Sequence, residues 1–166
     1  MKRLMIALGA ITLALVGVAA CGSSSNNNTP TAPSNTVTFN VNLLPSNEVP
    51  PVTNAESVAR GTAVITIHKD TNAIDFAVTV TNFPAGSSLT AAHIHNGAAG
   101  VAAGVFVGTN LSAGNAPALV NGTAAFNDTE SPGADKVSQI LANPAGFYFN
   151  VHTVMNGGGV MRGQLQ

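Results

Sequence analysis

Three histidines carry the first chemical signal in this sequence. His93 and His95 stand at i and i+2 in the segment AAHIHNG, and His152 lies some sixty residues on in FYFNVHT. In an extended strand successive side chains point to opposite faces, so His93 and His95 share one face and Ile94 turns the other way. Their Cα atoms then lie roughly 6-7 Å apart. Such a pair is a two-point claw for a divalent or cuprous ion, and two ligands alone hold an ion weakly. A third imidazole joins them if the strand carrying His152 lies beside theirs. Three roles are open to the trio. It can be structural, with the rings hydrogen-bonded to backbone carbonyls or to Asn96 and Asn150. It can hold a metal, copper ahead of zinc, since three imidazoles without a thiolate suit either ion. Or it can act on a substrate through water at an open fourth position, although no carboxylate in the neighbouring segments is an obvious proton-transfer partner and Glu48 is the only candidate. His68, beside Lys69 and Asp70 at a strand end, reads as a solvated turn histidine.

Charge is scarce, so each charged residue in an apolar setting carries information. Only 8% of residues are charged. Glu48 lies against Val49, Pro50 and Pro51, and Arg162 against Val160 and Met161. The expectation is an ion pair between Glu48 and Arg162 across adjacent strands, near a sheet edge. The alternative is that each is a separate surface residue that contributes little.

The segments that position these residues have a period of two. Val37, Phe39, Val41 and Leu43 alternate with Thr38, Asn40 and Asn42, as a half-buried strand requires. The same alternation runs through 62–68 and 74–81, joined by KDTNA as a hairpin loop. Further strands are expected at 91–95, 105–107, 119–126, 147–153 and 160–165. Val137, Ile140 and Leu141 fall at helical spacing over 134–142, and Asn143-Pro144 stops that helix. The small-residue stretch around Gly97, Gly100 and Gly104 is followed by no lysine and no helix, so it is no phosphate cradle. It is read as close backbone packing under the histidines. Gly157–Gly159 is expected to turn tightly into the last strand. The polar stretch 127–136 is read as a solvated lead-in to the helix. Short strands punctuated by Gly, Pro and Asn define an all-β fold, an antiparallel Greek-key-like sandwich or barrel with one short helical insertion at 134–142.

The amino terminus reads as an address. Lys2 and Arg3 precede an apolar run from Leu4 to Val18, which is too short and wrongly flanked for a membrane span. It ends in Val18-Ala19-Ala20-Cys21, which resembles a bacterial lipobox, with Cys21, the sole cysteine, as the acylated residue. Residues 1–20 are thus a lipoprotein signal peptide, 21–35 a flexible polar tether without a large apolar side chain, and 36–166 the folded domain. A lipid on Cys21 would anchor the protein peripherally to the membrane. Gly22 stands where Asp would resemble an inner-membrane retention signal, so the outer membrane is the expected location, on the side of the cell that supplies copper. An envelope protein is the other expected partner. With six Lys and Arg against seven Asp and Glu, nothing builds the basic stripe that neutralises phosphates, so nucleic-acid binding is excluded. The scarcity of charge also argues against helical bundles, and 166 residues suffice for one domain.

Four blocks, NEVPPV at 47–52, AHIHNGAAG at 92–100, NVHT at 150–153 and GGGVMRGQL at 157–165, together resemble the CHRD domain, a module named for chordin and widespread in bacterial secreted proteins. They stand in the family's order across about residues 37–165. The resemblance implies a fold more than an activity. The order H-x-H, long excursion, V-H and a late Gly-rich strand ending in R-G-x-L is also similar, more distantly, to the copper-zinc superoxide dismutases. That similarity would make His93, His95 and His152 copper ligands. The chain departs from that pattern in having no histidine in 96–150, hence no bridging or zinc ligands, no second cysteine for a disulfide, and no anion-guiding arginine at the expected place. A mononuclear three-histidine site is what survives. The favoured activity is therefore metal or partner binding without catalysis, with a dismutase-like copper oxidoreductase as the alternative.

Overall fold

The computed structural model describes residues 34–166. The expected signal peptide, Cys21 and most of the expected tether lie outside them. Eight strands, β1 (Thr36–Leu43), β2 (Arg60–His68), β3 (Ile74–Thr81), β4 (Leu89–Asn96), β5 (Val105–Gly108), β6 (Ala124–Glu130), β7 (Phe147–Thr153) and β8 (Met161–Gln164), are joined by one helix, α1 (Ala134–Ala142). They form two antiparallel sheets in the orders β1-β2-β3-β6 and β5-β4-β7-β8. The arrangement is a sandwich, not a closed barrel. The chain runs β1 to β3 as a meander, crosses for β4 and β5, returns for β6 and crosses again through α1 to β7.

The first sheet follows its sequence pattern. Phe39, Val41 and Leu43 of β1, Ala63, Ile65 and Ile67 of β2, and Ile74, Phe76, Val78 and Val80 of β3 are buried, and the Thr and Asn residues between them face outward. The second sheet supplies Ala92, Ile94, Phe149, Val151 and Met161 to the same core. Phe76 and Phe149 stack between the layers with ring centroids 5.5 Å apart. In α1, Val137 and Ile140 are the buried positions, and both join the core.

Several strand ends differ from the sequence pattern by one or two residues, and the two largest differences both arise at the exposed edge strand β6. A strand is expected at 119–126, yet 119–123 forms a turn whose Asn121 and Gly122 have positive φ, and β6 begins at Ala124. The strand then continues to Glu130 through the polar residues assigned to a loop. An edge strand with one solvated face accepts Asn127 and Thr129 as readily as Val.

In a two-layer sandwich the outer face of each sheet normally meets water. The second sheet breaks this rule at β7, whose seven residues are all buried. Alternation along FYFNVHT predicts an exposed row of Tyr148, Asn150 and His152. Instead the strap 44–59, the loop 97–104 and the turn 154–159 cover that row. A second, polar interior results, outside the apolar one.

Candidate metal centre

The covered face is built from three strands in register. His93 of β4 lies opposite Asn150 of β7, which lies opposite Arg162 of β8. His95 lies opposite Tyr148, and His152 lies opposite Ala91, diagonal to His93. Residues directly opposite in a ladder share a face. All three imidazoles thus arrive on one side of one sheet, with ring centroids 5.6 Å (His93–His95), 4.8 Å (His93–His152) and 6.0 Å (His95–His152) apart. A register shift between β4 and β5 at Ile94/His95 adds a local irregularity of the kind that re-aims a side chain beside a site.

Backbone carbonyls fix which ring nitrogens face inward. His95 Nδ1 donates to the carbonyl of Ala103 at 2.9 Å, and His152 Nδ1 donates to that of Gly157 at 3.0 Å. A carbonyl only accepts, so the proton of each neutral ring sits on Nδ1 and Nε2 presents a lone pair. His95 Nε2 is buried with no hydrogen-bond partner. His152 Nε2 lies 3.1 Å from His93 Nδ1. The ligand atoms of the three residues fall within 4.8 Å of one another. Two nitrogens bound to one ion at about 2.0-2.1 Å can be no more than about 4.2 Å apart. The 3.1 Å pair is inside that limit, whereas the full spread of up to 4.8 Å exceeds it, so the rings must move to close on one ion.

The surroundings keep the rings neutral. Burial, reinforced by the neighbouring His152 and His95, brings His93 down from 6.5 to about 4. Burial also lowers His95 and His152, against the pull of the carbonyls that their Nδ1 atoms meet. An orphaned buried lone pair, two carbonyl-fixed tautomers and neutral rings fit a metal ion better than a purely structural set, in which each nitrogen would find a partner. Asn150, expected as one such partner, donates instead to Glu48 Oε1 at 3.1 Å.

Tyr148 and Arg162 form the wall beside His95. The Tyr148 ring stacks on the His95 imidazole at 4.8 Å with planes 2° apart, and the Arg162 guanidinium lies 4.4 Å from the Tyr148 ring centroid. Arg162 Nε donates to the Asn47 carbonyl at 2.6 Å and Nη1 to that of Val101 at 2.9 Å. One side chain therefore ties the strap and the 97–104 loop to β8. Gly97 fits close against this wall, since a Cβ there would meet Tyr148 at 3.0 Å and Ala103 at 3.0 Å. Gly104 packs against nothing, so close packing applies to only part of that small-residue stretch.

The structure brings Glu48 Oε2 within 3.9 Å of Arg162 Nε, both side chains being deeply buried. Glu48 does not sit on a strand near an edge, as expected, but in the strap just after the 3-10 turn Pro45–Asn47. Burial raises it from 4.5 to about 7, outweighing the opposing pull of Arg162. Among the described residues no carboxylate hydrogen-bonds to His93, His95 or His152, so Glu48 is not placed for proton transfer at the histidines. His68 pairs with Asp75 at 2.7 Å on the other sheet. Sequence reasoning passes over Glu56, which is completely buried and accepts from Thr153 and Asn156. The available signal is a glutamate, in a chain so poor in charge, two residues after an N-capping Asn54.

Architecture and site together define a two-sheet antiparallel sandwich with one loop-covered polar face bearing a histidine cluster. The CHRD domain family model matches residues 39–165, and the chain belongs to that family. No curated protein and no solved structure matches it.

Proposed function

We propose that this protein is a lipid-anchored CHRD-domain protein of the cell envelope that binds one metal ion, copper ahead of zinc, through His93, His95 and His152. The observation carrying this reading is the orphaned Nε2 of His95. A buried lone pair without a donor costs on the order of 1–3 kcal/mol, and an ion at the cluster would remove that cost. Two carbonyl-held Nδ1–H groups support it further, being the arrangement by which metal-ligating histidines are oriented. Copper would supply a Lewis acid that can also cycle by one electron. The protein's own part is to present neutral imidazole nitrogens in a covered site.

The anchoring half of the reading rests on the sequence: Lys2 and Arg3, the apolar run and Cys21 in a lipobox-like setting, followed by a polar tether. It places the domain at the membrane surface, outer membrane for preference, where envelope proteins are its potential partners. Mass spectrometry of the protein from membranes tests it, with a diacylated or triacylated amino-terminal Cys21 expected and an unmodified Met1 contradicting it.

Metal binding is tested with an internal reporter. The chain has no Trp and one Tyr, and that Tyr148 stacks on His95. Titration with Cu(II) should quench tyrosine fluorescence to an end point at one equivalent, and Zn(II) should compete only in excess. An unchanged signal together with no copper retained after gel filtration would overturn the assignment. A superoxide assay of the loaded protein separates binding from turnover. Activity no greater than that of free copper is expected.

A further inference from the structure

We infer that Glu56 is a positioning residue for His152, acting through the turn that joins β7 to β8. The inference rests on the metal-binding reading for its purpose, and on hydrogen bonds alone for its geometry. Glu56 lies in the 3-10 turn Ala55–Val58 of the strap, and none of its surface reaches solvent. Its Oε2 accepts from Thr153 Oγ1 at 2.6 Å and from Asn156 Nδ2 at 2.6 Å. Thr153 is the residue after His152, and Asn156 the residue before Gly157, whose carbonyl takes the Nδ1–H of His152. One carboxylate oxygen therefore grips both flanks of the histidine and its acceptor.

The rest of the turn is built around this grip. Thr153 Oγ1 accepts the backbone N–H of Asn156 at 3.0 Å, and the Asn156 carbonyl accepts from the N–H groups of Thr153 and Gly159 at 3.3 and 3.0 Å. Asn54, which caps the Glu56 turn, receives and gives hydrogen bonds with the Asn156 amide. At the far end Gly159, with φ of +133°, leaves no room for a Cβ, which would lie 2.5 Å from Asn150 Nδ2 and 2.8 Å from Glu48 Oε1. The turn is thus held from both sides by the strap, and the Gly157 carbonyl has one place to be.

Burying a carboxylate costs several kcal/mol unless it is well partnered. Oε1 of Glu56 is buried with no partner at all. An apolar residue would hold the strap down more cheaply, so fastening alone does not account for a carboxylate here. Fixing the direction of an acceptor does. Outer partners of this kind typically change metal affinity by about 10–100-fold when removed.

The test uses the full-length chain with Glu56→Leu, Glu56→Gln and Thr153→Val. Nitrogen-15 NMR of the metal-free protein reads the His152 tautomer, and Tyr148 fluorescence reads copper affinity. In the wild type His152 should be the Nδ1–H tautomer. Glu56→Leu should mix the tautomers and weaken copper binding at least about 10-fold. Thr153→Val, which keeps the shape and removes one grip, should move both readouts in the same direction. Glu56→Gln, which retains an acceptor oxygen, should recover most of the affinity. A Thr153→Val protein that folds, keeps the Nδ1–H tautomer and binds copper like the wild type overturns the inference, as does a Glu56→Gln protein as impaired as Glu56→Leu. If the wild type binds no copper, the metal reading fails by itself, and the tautomer measurement still decides whether Glu56 positions His152.

Discussion

Replacing Glu48 with Gln should make the protein more stable at pH 8 and leave it nearly unchanged at pH 4. Burial brings the Glu48 carboxyl from 4.5 up to about 7 in the folded protein. A folded-state value above the unfolded one means that the folded protein binds the extra proton between those limits. The contribution is fully present below pH 4.5 and is lost as pH rises through 7. The difference is about 2.5 pH units at about 1.4 kcal/mol each, so Glu48 weakens the fold by about 3 kcal/mol at pH 8 relative to pH 4. Gln mimics the protonated acid and still meets the Asn150 amide, but it cannot ionise. Urea unfolding of both proteins at pH 5, 6, 7 and 8 reads the difference directly. The histidines titrate alike in the two proteins and cancel. A gap of about 1 kcal/mol at pH 5 should open to about 3 kcal/mol in favour of Glu48→Gln at pH 8, or about 10 °C in melting temperature for a domain of this size. A gap independent of pH would refute the reasoning. A wild type that gains on Glu48→Gln as pH rises would show instead that Arg162 outweighs desolvation.

Other expected outcomes concern the histidines and the glycines. His152→Ala and His95→Ala should each weaken copper binding by more than about 100-fold, beyond the loss for an outer partner, in the fluorescence titration. In the metal-free protein the histidine contribution to stability should decline as pH falls, opposite in sign to that of Glu48. His93 is depressed from 6.5 to about 4, so its contribution is present above pH 6.5 and fades as pH drops through about 4. His93→Asn should flatten that acid limb in denaturant melts. Gly163→Ala should destabilise by about 3 kcal/mol or more, because its Cβ would press into the Asn42 carbonyl and Val41 where β8 crosses β1. Gly104→Ala meets nothing and has no positive φ, so its melting temperature should hold or rise slightly.

Sequence periodicity revealed most of the scaffold because most strands obey one rule, apolar in and polar out. Ile74–Thr81, Phe147–Thr153 and Ala134–Ala142 coincide with their expected limits. The rule fails at β6, where an exposed edge tolerates residues that a pattern assigns to a loop. It also misjudges β7, for a reason that matters more. Alternation in FYFNVHT reports the faces of a strand, and it says nothing about a strap about ninety residues or more away folding over the polar one. The pairing of β4 with β7, which brings His152 to His93, was legible only through the spacing of the histidines and the family resemblance. The partners of the rings were less legible still. Ala103 and Gly157 act through carbonyls that every residue carries, so no side-chain type marks them. Glu56 is a side chain, but its two partners are a hundred residues distant.

The most direct test of the proposed metal centre is anomalous diffraction from crystals of the protein grown with one equivalent of Cu(II). The account predicts a single copper peak at about 2.0–2.1 Å from Nε2 of His95, Nε2 of His152 and a ring nitrogen of His93. Copper bound elsewhere, for example at the half-buried His68–Asp75 pair on the opposite sheet, with the three rings still hydrogen-bonded as they are without it, would contradict it.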